Sequence, residues 1–306
     1  MTIPVRRTQQ IARHFTSSRM NRSSIPTAPW RATLIHHLEG MDMPVMSLST
    51  LHHEQNASTA PSGQWTAETA AFSPRARTVV YRGMWADQKL DPRNPAPRNP
   101  NVYQTDLLTL TTDVRMEKVS EIFPRSTAAT PNTSETLQSC VGGVVEAVIW
   151  AAHVKTQWRI RGRVYMVGLD IQSDAAQPVR DALSAWMRRQ HSGNTMDGLE
   201  AEAETWCWDK ELTLSFGSLN PSMRGSFRNP PPGTPISQAP APGLGLGQKV
   251  DDLHDEIARK NFRVLVIAPE QVDQVDLNDP ERARRWIHNL KANGDEATWI
   301  TTEVWP

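Results

Sequence analysis

The apolar positions of this chain recur with two different periods, and the switches between them mark its elements. In TAPWRATLIHHLEG (27–40), Trp30, Leu34 and Leu38 fall every four residues. Pro29 suits a first helical turn and Gly40 an end, so a helix is predicted. RTVVYRGMW (77–85) is rich in β-formers and predicts a strand. The proline- and asparagine-rich DQKLDPRNPAPRNPNVY after it predicts a loop. DLLTLT (106–111) alternates, with Leu108 and Leu110 on one face and Leu107, Thr109 and Thr111 on the other. VRMEKVSEIF then takes helical spacing through Met116, Val119, Ile122 and Phe123, up to Pro124. VVEAVIW (144–150) reads as a buried strand. TQWRIRGRVYMVGLD (156–170) places Trp158, Ile160, Val164 and Met166 on one face and Gln157, Arg159, Arg161 and Arg163 on the other. The two runs pair naturally as a hairpin.

Further along, VRDALSAWMRRQ (179–190) predicts an amphipathic helix, RNPPPGTPISQAPAPGLGLGQ (228–248) a Pro/Gly loop, and NFRVLVIAP (261–269) a strand. PERARRWIHNLK (280–291) predicts a helix begun by Pro280. No internal repeat is visible. Short alternating strands with hairpin-like links point to a mainly β, antiparallel barrel of the Greek-key type with flanking helices, rather than a βαβ sheet.

Composition narrows the function classes. Lys plus Arg and Asp plus Glu are both 33. That balance gives no support to bulk binding of nucleic acid or an anionic membrane, yet leaves room for a local anion site. Two cysteines, Cys140 and Cys207, make neither a disulfide framework nor a zinc site. A reducing, cytoplasmic setting is the default. Residues 1–38 hold six arginines and neither lysine nor acid. The start, about residues 1–27, is thus either a basic tail or a mitochondrial-type leader. No apolar run approaches the roughly 18 residues that span a bilayer.

Three familiar chemistries are absent from the motifs. GLGLGQ fails the dinucleotide spacing and follows no strand. His36-His37 and His52-His53 lack metal-ligand spacing, so no metal is expected. There is no G-x-S-x-G nucleophile. The cations are more informative. Arg77 and Arg82 flank one strand, and Thr111, Thr112, Arg115 and Lys118 gather at a strand–helix junction. Hydroxyls, free helix N–H groups and cations suit a phosphomonoester. Asp113 as a helix cap with outward cations is the other reading. Arg77 and Arg82 are five apart, so a regular strand would face them oppositely. A bend would be needed to bring them together.

The order APWRATLIHHLE, RTVVYRG, LTLTTDVRMEKV, VEAVIW, TQWRIRGRVYMV, Pro/Gly loop, NFRVLVIAPEQVDQVDL and a Trp-rich tail resembles the pyridoxamine 5′-phosphate oxidase superfamily, in one of its FMN-binding branches. The resemblance spans about residues 28–306, as one domain interrupted by loops near 87–105, 124–140 and 188–258. It implies an FMN-binding split β-barrel, a homodimer with flavin at the subunit interface, and a small-molecule substrate for an FMN-dependent oxidoreductase. It further implies Arg77, Arg82, Thr112 and Lys118 around the phosphate, beside the Thr111 already grouped with them, Val79 and Val80 offering backbone to the ring, and Gln157 reaching the flavin. The family's pyridoxamine oxidases carry an Arg-Leu-His-Asp-Arg motif near the C-terminus. ERARRWIHN stands there instead, leaving Arg282 and Arg285 as the substrate candidates on one face of the expected helix and the substrate itself open. The 228–248 loop is either a reshaped pocket entrance or a surface loop.

Overall fold

The computed structural model describes residues 25–53, 72–87, 91–123, 138–190, 205–294 and 296–306. The basic start, apart from its last three residues, and the stretch 124–137 lie outside them.

Ten strands and six α-helices are assigned among the described residues. The strands are β1 (Val45–His53), β2 (Phe72–Val80), β3 (Tyr103–Gln104), β4 (Leu108–Asp113), β5 (Cys140–Ala151), β6 (Thr156–Val167), β7 (Arg188–Arg189), β8 (Phe262–Asp276), β9 (Arg284–Asn293) and β10 (Glu296–Val304). The helices are α1 (Arg31–Glu39), α2 (Glu117–Ile122), α3 (Gln177–Ser184), α4 (Trp208–Gly217), α5 (Pro221–Gly225) and α6 (Glu256–Asn261). Eight strands form one sheet in the order β10-β9-β8-β6-β5-β1-β2, with β4 pairing β8 off that path. Every pairing is antiparallel. The protein is mainly β with flanking helices, as the alternation predicts, and the hydrogen-bonded path is not closed into a ring.

The core explains the strand sequences. Trp158, Ile160, Val164 and Met166 of β6 join Leu108 and Leu110 of β4, Met46 and Leu48 of β1, and Trp30, Leu34 and Leu38 in one buried cluster. β8 is buried on both faces: Leu265 and Ile267 enter that cluster, while Phe262, Val264 and Val266 pack with Val179, Leu183, Leu212 and Phe216 of the helices. A strand covered on both sides reads as a continuous apolar run, which is why RVLVIA does not alternate. β5 and β6 form the expected hairpin, from Ala151↔Thr156 to Cys140↔Met166. Where the β6–β8 register shifts, a Cβ on Gly162 would stand 2.1 Å from the Ala268 carbonyl oxygen, so only glycine fits the close approach.

Three expectations are corrected. PERARRWIHNLK does not form a helix. Arg284–Asn293 is strand β9, paired with β8 on one side and β10 on the other. Trp286, His288 and Leu290 alternate as a strand while Trp286, Ile287 and Leu290 fit a helical stripe, and the ladders with β8 and β10 settle the period. The helix predicted over 179–190 ends at Ser184, and Arg188–Arg189 pair with Tyr103–Gln104. The strand predicted at 77–85 starts at Phe72 and stops at Val80. Beyond it the backbone bends: Arg82 N–H donates to the Thr109 carbonyl at 2.9 Å, and Gly83 lies at φ 107°. Strand β1 and helix α4 had no counterpart in the sequence reading. No helix among the described residues is long and apolar enough to cross a membrane.

Candidate functional site

The end of β2, the bend after it and the β4–α2 junction share one cavity of about 790 Å³. Val79, Val80, Arg82, Thr111, Thr112 and Lys118 all line it, together with Thr78, Asp113 and Arg115. The bend at 81–83 brings Arg82 into register with β4, because Arg82 N–H and Gly83 C=O both bond to Thr109. β4 is held by six register pairs with β8, from Leu108↔Ile267 to Asp113↔Phe262. The hydroxyls of Thr111 and Thr112 are therefore fixed by a ladder rather than by a loop.

The cations of the junction divide into two kinds. Arg115 is spoken for: its guanidinium makes two bonds to the Asp113 carboxylate, at 2.9 and 2.6 Å, and a third to the Phe227 carbonyl at 3.3 Å. Lys118 and Arg82 make no ion pair among the described residues, although Lys118 is only 8% exposed. The Arg82 Nε is buried without a hydrogen-bond partner. Burial lowers the Lys118 ammonium below its usual range, and the Arg77 charge adds to it. Burial lowers Arg82 as well. Two desolvated cations without an ion-pair partner among the described residues carry a cost that the Asp113 and Glu121 carboxylates offset only in part for Lys118, and an incoming anion relieves the rest.

The capping alternative is not what forms. Met116 takes the N-cap position of α2 with no side-chain hydrogen bond, and Asp113 accepts instead from the Arg115 backbone at 2.8 Å and from its guanidinium.

Arg77 does not line the cavity. It bonds to Thr50 and reaches the Glu121 carboxylate at 2.6 Å. The Glu121 side chain is 1% exposed. Burial alone would raise its carboxyl, but hydrogen bonds from Thr50 and Arg77 outweigh this and hold it below the usual range. His52 stands 3.3 Å from the other Glu121 oxygen, and Glu117 completes a group of three metal-type ligands. Arg77 already neutralises that carboxylate, so the group is balanced as an ion-pair network. Gln157 pairs with Trp150 and Val275 in the sheet and does not line the cavity. Arg282 sits in the turn before β9, and Arg285 makes two bonds to Asp273. Neither lines the cavity, and the helix face they were to share does not exist.

The sequence reading passed over Thr78, and of its two alternatives for the 228–248 loop, pocket entrance or plain surface, the cavity lining fits the first. Pro230, Pro231, Pro232, Pro235, Ile236 and Leu246 line it as an outer wall. The only trace of that wall in the sequence is the density of prolines in 228–248.

A second cavity, of about 670 Å³, lies on the other side of Arg82, which lines both. Arg31, Asp87 and Tyr81 border it. Arg31 and Asp87 form an ion pair there, and burial pushes the Tyr81 phenol far up.

Residues 27–168, which carry every element of the cavity's inner wall, match the family described as pyridoxamine 5′-phosphate oxidase, FMN-binding domain. The uncharacterized protein YGR017W of Saccharomyces cerevisiae is 21% identical over 287 residues, covering 79% of this chain and 90% of that protein. Among solved structures, a pyridoxamine 5′-phosphate oxidase-related, FMN binding protein from Nostoc punctiforme is 19% identical and superposes with a TM-score of 0.47, over 94% of this chain and 100% of its own. PhzG from Burkholderia lata, in complex with tetrahydrophenazine-1-carboxylic acid, is 11% identical with a TM-score of 0.34, over 93% and 96%.

Proposed function

We propose that the chain binds FMN in the 790 Å³ cavity and works as an FMN-dependent oxidoreductase on a small molecule. The observation that carries this reading is the pair of desolvated cations, Arg82 and Lys118, that make no ion pair among the described residues and line one cavity with Thr111 and Thr112, in a segment that matches an FMN-binding family. A phosphate monoester supplies negative charge and accepts hydrogen bonds from the Thr111 hydroxyl and both cations, while the Thr112 hydroxyl donates to the Asp113 carbonyl at 3.2 Å. Bound flavin would supply the electron transfer. The chain's own part is binding and orientation. Arg82 and Lys118 hold the phosphate, Val79 and Val80 present backbone to the ring, and the core beneath β2 and β4 keeps these groups at fixed spacing. Arg77, paired with Glu121, adds positive potential behind Lys118.

We further propose a homodimer on a split barrel. Leu51, Phe72 and Trp150 are exposed apolar side chains on β1, β2 and β5, adjacent strands of the sheet. A second copy would cover them.

The test is mass spectrometry of the small molecule released from purified full-length protein, alongside sedimentation. FMN in stoichiometric amount from a dimer is the expected result. FAD as the main species, or protein that takes up no flavin when supplied with FMN, overturns the reading. Reduction of the bound flavin by candidate donors then separates an oxidoreductase from a carrier.

A further inference from the structure

We infer that the proline-rich segment NPPPGTPISQAPAPGLGL (229–246) is the outer wall of the flavin cavity and clamps the apolar body of the bound phosphate ester against the barrel. The inference rests on the flavin reading above and adds to it a holding and selecting element.

The segment is built rather than loosely drawn. Six prolines in 18 residues fix φ and remove N–H donors, so it cannot add to the sheet and loses little entropy in holding its shape. Its backbone folds through successive tight turns, with Thr234 N–H donating to Pro231 at 3.2 Å, Gln238 to Pro235 at 2.9 Å and Leu244 to Ala241 at 3.1 Å. Its two ends are fastened together. Arg228 reaches Asp255 at 2.6 Å and the Gly243 carbonyl at 3.2 Å, and Gly245 N–H donates to the Arg228 carbonyl at 2.9 Å. The base of the segment is also tied to the cradle. The Phe227 carbonyl accepts from Arg115, whose other bonds hold Asp113 at the end of β4. Arg115 therefore joins the two walls, which explains why this cation, unlike Lys118, is neutralised within the protein.

The wall's chemistry is opposite to that of the cradle. Pro230, Pro231, Pro232, Pro235, Ile236 and Leu246 line the same cavity as Arg82, Thr111, Thr112 and Lys118. Ile236 is fully exposed and Leu246 is 77% exposed, so these side chains line the cavity without protein covering them. A cavity lined by both cations and apolar side chains fits a ligand with a phosphate at one end and a flat aromatic ring with an apolar edge at the other. The phosphate satisfies the cations, and the ring covers the exposed Ile236 and Leu246. A second copy of the chain is the competing occupant.

The experiment uses the full-length protein loaded with FMN, the double variant Ile236→Ser/Leu246→Ser, and a second variant with 230–240 replaced by Gly/Ser of equal length. FMN release is followed by the recovery of flavin fluorescence, solvent access by iodide quenching, and assembly by sedimentation. Both variants are expected to release FMN at least tenfold faster and to quench more strongly. The dependence of affinity on salt should stay unchanged, because the cations remain. The flavin-free melting temperature of the double variant should also stay put, because neither side chain is packed. Wild-type rates and quenching in the FMN-loaded variants overturn the clamp and leave the flavin reading standing. A shift in the monomer–dimer balance with unchanged FMN release also overturns it, and makes this face a contact between copies. Wild-type protein that binds no FMN overturns both.

Discussion

The two walls of the cavity are made by opposite means. The inner wall is the end of β2, the bend after it and the β4–α2 junction, and the pairing of β4 with β8 fixes every residue from Leu108 to Asp113 over a core that includes Leu110 and Val79. The outer wall is a chain of proline-rich turns with exposed apolar side chains. Charge recognition is directional and needs hydroxyls and cations at set positions, so it is placed on a paired strand and on the bend and helix tied to that strand's ends. Apolar contact is not directional and needs only surface of the right kind, so a strap suffices.

The comparison is broken most directly at Leu110, which is 1% exposed between Thr109 and Thr111. Leu110→Ala should cost about 3 kcal/mol of stability, because the cavity it leaves lies under a ladder that cannot collapse. A midpoint shift in urea equal to less than about 1 kcal/mol would mean that the inner wall is as yielding as the outer one.

Arg77→Ala comes next. It strands the buried Glu121 carboxylate, with Thr50 and His52 as its remaining partners, and should cost about 2 kcal/mol, below the range for a fully buried pair because Arg77 itself reaches solvent. The sign with pH follows from Glu121. Its carboxyl lies below the unfolded value of 4.5, so the stabilisation is complete above that value and disappears as pH falls through the folded one. Melts from pH 7 downward should show wild type and variant converging in acid. A constant gap would place the Arg77 contribution elsewhere.

Lys118→Ala sharpens the contrast by separating binding from folding. FMN affinity should fall by about 1.5–3 kcal/mol, roughly ten- to a hundredfold, as for a charge-assisted contact. The flavin-free protein should melt no lower, since burial and the Arg77 charge outweigh the pull of Asp113 and Glu121 on this cation. In wild type, burial sets the Lys118 ammonium below its usual 10.5, and a bound phosphate favours the charged form. Affinity should therefore decline as pH rises through the depressed value, and titrations at increasing pH should lose that decline in Lys118→Ala.

The smallest effect is expected at the outer wall. Ile236→Ala, at a fully exposed side chain, should change flavin-free stability by less than about 0.5 kcal/mol in the same urea titration used for Leu110. A larger loss would show that the strap is part of the folding unit.

Much of the inner wall was legible along the chain. The alternation of Leu108 and Leu110, the change of period after Asp113, and the two-faced run from Thr156 identify β4, α2 and β6 from local pattern alone. Arg284–Asn293 was not legible, because Trp286, Ile287 and Leu290 satisfy a helical stripe and Trp286, His288 and Leu290 a strand. Only the neighbours on both sides, β8 and β10, select between them. The earlier strand β1 was hidden for a related reason. VMSLSTLHH buries Met46, Leu48 and Thr50, so its alternation ends on a polar residue.

By itself, then, the sequence determined the antiparallel, mainly β character of the chain and the grouping of Thr111, Thr112 and Lys118 at one junction, since both depend on residues within a few positions of each other. The tertiary structure decided which cations are left to meet a ligand. Arg115 and Lys118 stand three apart and look alike in the sequence. Asp113 and the Phe227 carbonyl take the first, while the second is buried with no ion pair among the described residues. Arg77 and Arg82 flank the same predicted strand. Glu121, 44 positions away, claims Arg77, and the bend at Gly83 turns Arg82 into the cavity. Electrostatic pairing acts through space over a few ångströms, and distance along the chain does not report it.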